Sequence, residues 1–262
     1  MKAEEKASEF YNSSGWSVDD LGNTFDANKW EDLRLCSQKY LSDCRKRLGT
    51  HLERSGNLFL DFGSGPIQYP EYLDYSENYH ERHCIDLSKS ALQIAEGRAN
   101  NIRVMHGSFL SLEIPQNSYD CCIAQHVLYH IDKSEQATVV RKLLDITKPG
   151  GTIAIVYGNP NSPLEAPYRL YRIFKRLFKI ETHHELYHFA FSLKWWRQFE
   201  DSADIKIHIW RTLNAFYLRR LIPNNRIGIL ILDILFKIEG IIPNRILTFL
   251  GQYPVIILKK NN

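Results

Sequence analysis

Two glycines and one acid make the strongest chemical pattern in the chain. Gly63 and Gly65 follow directly on a compact apolar run, Asn57–Asp61 (N-L-F-L-D), and Asp86 closes a second run, His83–Asp86 (H-C-I-D), 21 residues beyond Gly65. Glycine at such a turn lets the backbone bend tightly and approach a ligand where a Cβ would intrude. An acid at that spacing can accept hydrogen bonds from ribose hydroxyls. The dinucleotide fingerprint needs a further glycine three positions on, so that a pyrophosphate can sit against a helix start. Gln68 stands there instead. The pattern therefore points to an adenosine-containing cofactor without phosphates. A glycine turn that binds nothing is the plainer alternative.

For these residues to meet, several buried strands must end on one side of a sheet. Beyond the first two runs, Ile102–His106, Tyr119–Gln125 (Y-D-C-C-I-A-Q) and Thr152–Tyr157 (T-I-A-I-V-Y) read as strands. Helical patterns over Ser88–Ala99 and Ser134–Thr147 separate them, the latter ending at Lys148-Pro149-Gly150-Gly151. Short runs apolar on both faces, alternating with helices, indicate a parallel sheet covered on both sides. Asn28–Arg47 reads as one helix ahead of the first strand. After Asn159 the alternation stops. Leu170–Ile180 and Leu193–Asp201 read as helices, Ile205–Thr212 as a strand, Ala215–Leu250 as helical and apolar, and Tyr253–Leu258 (Y-P-V-I-I-L) as a last strand.

In these segments the chain resembles the class I S-adenosylmethionine (SAM) dependent methyltransferases. The matching stretches are L-D-F-G-S-G-P (60–66), C-I-D-L-S (84–88), H-G-S-F (106–109), S-Y-D-C-C-I-A-Q-H-V-L-Y-H-I (118–131) and L-L-D-I-T-K-P-G-G (143–151). The resemblance covers about residues 55–160. It implies an α/β fold, a Rossmann-like seven-stranded, mostly parallel sheet with helical insertions, in which Tyr253–Leu258 runs antiparallel. It implies SAM as cofactor, with Asp61, Gly63, Ser64 and Gly65 at its methionine end, Asp86 and Leu87 at the ribose, Ser108 and Phe109 beside the adenine, and Gln125 and His126 beside the sulfonium. The sequence departs from the family at two positions. Ile67 stands where many members have a third glycine, and Ser108 where many have an aspartate.

Methyl transfer to a hydroxyl needs alignment and a base, and His126 has the titration range for one. A histidine that packs beside the cofactor without taking a proton is the alternative. His130 reads as structural. Tyr11, Trp16 and Trp30 precede the first strand; in related methyltransferases an N-terminal helix folds over the pocket, which makes Tyr11 the candidate to reach the cofactor and Trp30 a packed core aromatic. His184-Glu185-Leu186-Tyr187-His188 matches H-E-x-x-H, a zinc pattern when it lies on a helix. Its place after the fifth strand is where this family inserts acceptor-binding segments, and no clear third ligand follows. His184 and His188 are therefore read as acceptor contacts, with no metal assigned. A zinc-dependent hydrolase and a non-catalytic SAM-fold interaction protein are the competing classes.

The chain has 262 residues, 44% hydrophobic and 24% charged, which excludes collagen-like, low-complexity and disordered classes. Five cysteines without a C-x-x-C pair, and no apolar run behind a basic start, give the expectation of a reducing cytoplasm. Residues 1–54 read as a helical cap and 55–262 as the methyltransferase domain, with acceptor-side insertions at about 159–200 and 214–252. Charge is divided unevenly: residues 1–150 carry 17 Lys and Arg against 22 Asp and Glu, whereas 151–262 carry 16 against 8. Arg169, Arg172, Lys175, Arg176 and Lys179 alternate with Leu170, Ile173, Phe174, Leu177 and Phe178, giving one basic and one apolar helix face. The expected acceptor is a small molecule, a saccharide or a lipid-linked group, with anionic ones favoured. A lid helix is the first reading of this segment, and contact with a membrane surface the second. Nucleic acid is not expected, because no binding motif accompanies the charge.

Overall fold

The computed structural model describes residues 3–20, 22–178 and 186–262. A helix α1 (Ala3–Phe10), a π-helical turn (Tyr11–Gly15) and helices α2 (Phe25–Trp30) and α3 (Leu35–Gly49) precede the first strand. Then follow β1 (Gly56–Phe62), α4 (Pro70–Asp74), β2 (Tyr79–Asp86), α5 (Lys89–Glu96), β3 (Ile102–His106), β4 (Tyr119–Gln125), α6 (Gln136–Ile146) and β5 (Thr147–Val156). The remainder is α7 (Glu165–Leu177), a 3-10 helix (Leu193–Phe199), β6 (Ala203–Arg211), α8 (Ala215–Leu221), α9 (Arg226–Ile241), α10 (Asn244–Leu250) and β7 (Tyr253–Lys260).

The strands form one seven-stranded sheet in the order β3-β2-β1-β4-β5-β7-β6. The first five are mutually parallel, and β7 pairs antiparallel with both β5 and β6. Strand order reverses between β1 and β4, so the crevice beyond their carboxyl ends is where a ligand belongs in a sheet of this kind. One face of the sheet packs Leu143, Trp196 and Phe199 against Leu60, Cys122 and Ile153. The other packs Tyr40, Leu41, Cys44 and Leu48 of α3 against Phe59, Cys121 and Ala154. Thus α3, expected with the N-terminal cap, shares its core with β1.

Two helical stretches are more broken than their periodicity indicates. Asn28–Arg47 divides because Asp32, fully buried, accepts from the Arg34 amide at 3.3 Å and the Ser37 hydroxyl at 2.5 Å. Those bonds tie the chain down just ahead of α3 and compete with helix continuation. Ala215–Leu250 divides into three. Asn225 caps α9 by accepting from the Ile227 and Gly228 amides, and Gly228 lies so close to Pro223 that a Cβ would come 1.9 Å from its carbonyl oxygen. Strand β5, conversely, starts early: Thr147 pairs with Tyr119, and a bulge absorbs the register shift before Cys121 meets Thr152.

Candidate functional site

The turn after β1 needs both glycines for shape as well as space. Gly63 has φ 68° and Gly65 φ 53°, the left-handed region that side chains resist. A Cβ on Gly63 would approach Val127 to 2.7 Å, and one on Gly65 would approach the Trp16 ring to 2.8 Å. Asp86 stabilises the turn from the next strand. Its Oδ2 accepts from the Gly65 amide at 2.8 Å and its Oδ1 from the Ser88 amide at 2.8 Å. Burial pushes this carboxyl up, and those two amides pull it back. Ile67 has a left-handed backbone, φ 51°, while its side chain is fully buried beside Cys84 and Leu92.

A cavity of about 180 Å³ opens over this turn. Its floor comprises Phe62 to Pro66, the end of β2 at Ile85, Asp86 and Leu87, and the end of β4 at Gln125, His126 and Val127. Phe109 lies to one side, its ring stacked on Phe62 at 4.4 Å. The roof is the N-terminal segment: Glu4, Ala7, Tyr11 and Trp16 all line the cavity, and Tyr11 stacks on Trp16 at 5.1 Å. Asn12 fastens that roof through its side-chain amide to the Leu87 carbonyl, 3.2 Å, and accepts from the Lys89 amide, 3.2 Å.

Nine predicted residues therefore meet in one lining: Tyr11, Gly63, Ser64, Gly65, Asp86, Leu87, Phe109, Gln125 and His126. Two others lie outside it. Asp61 is buried behind the turn, ion-paired with the fully buried Arg82. Ser108 donates to Glu4 Oε1 at 2.9 Å, holding α1 down instead of facing the cavity. His188 contacts the Tyr129 ring at 4.6 Å and His130 at 5.9 Å, one layer behind the lining. His184 and Glu185 lie outside the described residues, and Leu186–His188 are not helical, so the described end of H-E-x-x-H lacks the helical face that the zinc pattern presumes. Among the described residues no cluster of three or more metal-ligating side chains occurs. None of the described residues of 159–200 lines the cavity, whose roof is the N-terminal segment. Trp30, expected in the core, is 44% exposed with Lys29 over its ring.

Several lining residues carry no motif: Glu4, Asp26, Glu31, Gln68, Tyr69 and Tyr72; His130, expected as structural, lines the cavity as well. The tyrosines follow the glycine turn in Y-P-E-Y-L-D-Y (69–75), an aromatic density that could have marked a pocket wall. Asp26 accepts from the Tyr11 hydroxyl at 3.3 Å. Burial pushes it up to about 6, against that hydrogen bond. Glu31 pairs with Arg45 at 2.9 Å, and the Arg45 guanidinium lies over the Tyr69 ring at 3.3 Å. The lining holds four carboxylates, Glu4, Asp26, Glu31 and Asp86, and neither lysine nor arginine among its described residues. Trp16 Nε1, Tyr69 OH and Gln125 Oε1 are buried there without partners. Such atoms each cost about 1–3 kcal/mol unless something bonds them.

His126 also has a left-handed backbone, φ 59°, in a sterically poor region for a side chain. Its Nδ1 is 2.8 Å from the Tyr129 hydroxyl, and its ring meets Trp210 edge-on at 4.7 Å. Burial, reinforced by Arg211, pushes it down to about 3, and burial pushes His130 down to about 4. Both are neutral through the physiological range.

These shifts set a pH dependence of stability. His126, His130 and His51, the last lowered to about 4, stay neutral in the fold but take protons on unfolding below their ordinary 6.5. Each contributes stability that is complete above 6.5 and lost as pH falls toward its folded value. Asp26 works oppositely: its contribution is complete below 3.8 and lost as pH rises through about 6. Asp61 and Asp86, also pushed up by burial, act with Asp26, and His208, pushed down by burial, acts with the other imidazoles. Four imidazoles against three carboxyls leave a net acid destabilisation, at up to about 1.4 kcal/mol per pH unit for each uncompensated proton. Melting temperatures should fall steadily from pH 6.5 to 4; a flat profile over that range would show these rings to be solvated.

Residues 60–155 match the methyltransferase domain family. An N-methyltransferase, NodS, from Bradyrhizobium japonicum, solved with S-adenosyl-L-homocysteine, superposes with a TM-score of 0.59 at 10% identity, covering 100% of both chains. A SAM-dependent methyltransferase from Archaeoglobus fulgidus gives 0.55 at 16% identity, over 85% of this chain and 94% of that one. The chain therefore carries a methyltransferase domain match over residues 60–155 and shares its fold with these SAM-dependent methyltransferases. Among curated proteins it is 29% identical over 100 residues to a demethylmenaquinone methyltransferase of Listeria monocytogenes, covering 38% of each chain. It is 24% identical over 106 residues to an uncharacterized methyltransferase of Anoxybacillus flavithermus, 40% of this chain and 49% of that one. The matched segment thus spans half or less of these curated relatives.

Proposed function

We propose that the chain is a SAM-dependent methyltransferase acting on an oxygen or nitrogen of a small-molecule, saccharide or lipid-linked acceptor. The carrying observation is the lining itself: four carboxylates, three partnerless buried polar atoms and no described cation, at the switch point of the sheet. That charge suits a ligand with a sulfonium and an ammonium, and it opposes a pyrophosphate. Gly63, Ser64 and Gly65 would hold the methionine end, Asp86 the ribose hydroxyls, and Leu87 and Phe109 the adenine. Gln125 and His126 would face the reacting end, and Tyr11 would close the roof. The demethylmenaquinone methyltransferases among the relatives make a quinone one further candidate acceptor. The acidic lining gives no support to an anionic acceptor at the cavity itself.

SAM supplies a methyl carbon already activated by its sulfonium. The protein's share is then alignment and exclusion of water. His126, held at Nδ1 by Tyr129 and kept neutral by burial, is suited to orient an acceptor lone pair. With a conjugate acid near 3 it is a weak proton acceptor, which favours an unprotonated amine or an acidic hydroxyl over an alcohol. Calorimetry with SAM, S-adenosylhomocysteine and NAD tests the reading: the first two should bind and NAD should not. Tight NAD binding without SAM binding would overturn it.

His188 is assigned a positioning role, through Tyr129, on the imidazole of His126. His188→Ala should leave SAM affinity within about twofold and lower turnover roughly tenfold, the scale of a lost orienting contact. Once an acceptor is found by mass detection of methylated product, the same two measurements decide. Unchanged turnover would make His188 a packing residue.

A further inference from the structure

Helix α9 has two faces of different fate. Leu232 and Glu239 are buried, the latter accepting from the Tyr40 hydroxyl at 2.8 Å. On the other side Ile227, Leu230, Ile234, Ile238 and Ile241 recur at helical pitch and remain 42–82% exposed. A row of large aliphatic side chains left in water on a helix face is uncommon and marks an interaction surface. Nor is it isolated. Phe249 on α10 is 60% exposed, and Leu170, Phe174 and Leu177 on α7 are 54–74% exposed.

Contacts tie α7 to α8 and to the end of α10, while α9 follows α8 directly, with Gly228 against Pro223. The Asn159 side-chain amide, ahead of α7, donates to the carbonyls of Thr248 at 2.9 Å and Gly251 at 3.1 Å, at the end of α10. Tyr171 of α7 packs on Phe216 of α8 at 4.8 Å, and Arg220 donates to the Tyr171 hydroxyl at 2.9 Å. Across α7 to α10 the sequence has nine Lys or Arg and only three Asp or Glu, a net charge of +6. The three acids are already engaged: Glu239 with Tyr40 and Arg47, Asp233 with Lys39 at 3.0 Å, and Glu165 with Gln252. Exposed Lys237 and Arg245 lie on the same helices as the aliphatic rows.

We propose that α7, α9 and α10 form a docking face for an anionic lipid bilayer, on which the protein rests peripherally. Three features select this occupant. Apolar side chains flanked by cations match acyl chains below anionic headgroups. The helices α7, α9 and α10 alone carry seven Lys or Arg against three Asp or Glu, so a second copy would set two faces of net charge +4 against one another, which like-charge repulsion opposes. None of the described helices is long and apolar enough to cross a membrane, and α9, at 16 residues, is short of the roughly 20 that a span requires. The basic excess of the second half is thereby separated from the acidic cavity. Docking is independent of the methyl-transfer reading and is read out as binding alone.

Co-sedimentation of the full chain with phosphatidylcholine vesicles, with and without phosphatidylglycerol, tests this. Binding to the anionic vesicles should be at least about tenfold tighter and should weaken as salt rises. Ile234→Glu with Ile238→Glu should reduce it about tenfold or more, because both side chains are exposed and their replacement leaves the core intact. Lys237→Glu with Arg245→Glu should do the same by charge alone. SAM affinity should be unchanged in both, which separates loss of docking from loss of the fold. Equal binding to neutral and anionic vesicles, no binding to either, or unaltered binding by both variants would overturn the proposal. So would a dimer in sedimentation equilibrium that Ile234→Glu dissociates, which would assign the face to a second copy.

Discussion

Asp61→Ala should destabilise the protein by about 3–5 kcal/mol, the cost of removing one partner from a buried ion pair. Arg82 is fully buried, and its guanidinium is held by Asp61, the Tyr72 carbonyl and the Ser76 hydroxyl at 3.3 Å. Without Asp61 the charge would remain among neutral partners, with no water to solvate it. The urea midpoint should fall sharply, whereas SAM affinity of the remaining folded protein should change little. Asp61→Ala combined with Arg82→Met should recover much of the loss, because an apolar pair of similar volume needs no compensating charge. If Asp61 instead serves the cofactor directly, Asp61→Ala would show the reverse: a normal urea midpoint and weak SAM binding.

That pair marks a limit of what the sequence discloses. L-D-F-G-S-G-P shows an acid beside a glycine turn, and the resemblance assigns that acid to the ligand. Arg82, which decides where the carboxylate points, lies 21 residues away on the neighbouring strand, in no motif. The parallel strands, by contrast, were legible, since the buried runs are short, apolar on both faces and interspersed with helices, whereas their order came from the structure. The antiparallel β7 came from the family resemblance alone. Breaks in the helices were harder to read: at Asp32 and Asn225 a side chain capturing backbone amides overrides a periodicity that continues through them.

The cavity shows the same division. Residues belonging to the glycine turn and the strand ends were identifiable because the sheet fixes them relative to one another. Its walls were not. Asp26, Glu31 and Tyr69 come from separate segments and meet only through tertiary packing, linked by Arg45 and Tyr11. Ile67 is a subtler case. The sequence shows a departure from glycine, yet the structure has φ 51° there because the aliphatic side chain fills a pocket beside Cys84, Leu92 and Ile102. The strain of a β-branched residue in that region, on the order of 1–2 kcal/mol, is offset by burial of similar size.

Asp86→Ala should reduce SAM affinity roughly ten- to a hundredfold, corresponding to about 1.5–3 kcal/mol for a charge-assisted hydrogen bond. The carboxylate has two tasks in the proposed site. It accepts from the Gly65 and Ser88 amides, and it has lone pairs remaining for ribose hydroxyls. Losing the first task would leave the Gly65 amide unpaired and loosen a turn already held at φ 53°. Losing the second removes the ligand contact itself. Asp86→Asn separates them: its single carbonyl oxygen can satisfy one amide but cannot match the charge. Its affinity should therefore fall between wild type and Asp86→Ala, with a melting temperature closer to wild type. Calorimetry on the two variants, alongside their melts, gives the comparison. Equal SAM affinity in all three proteins would remove Asp86 from the cofactor site and leave it only the task of shaping the turn.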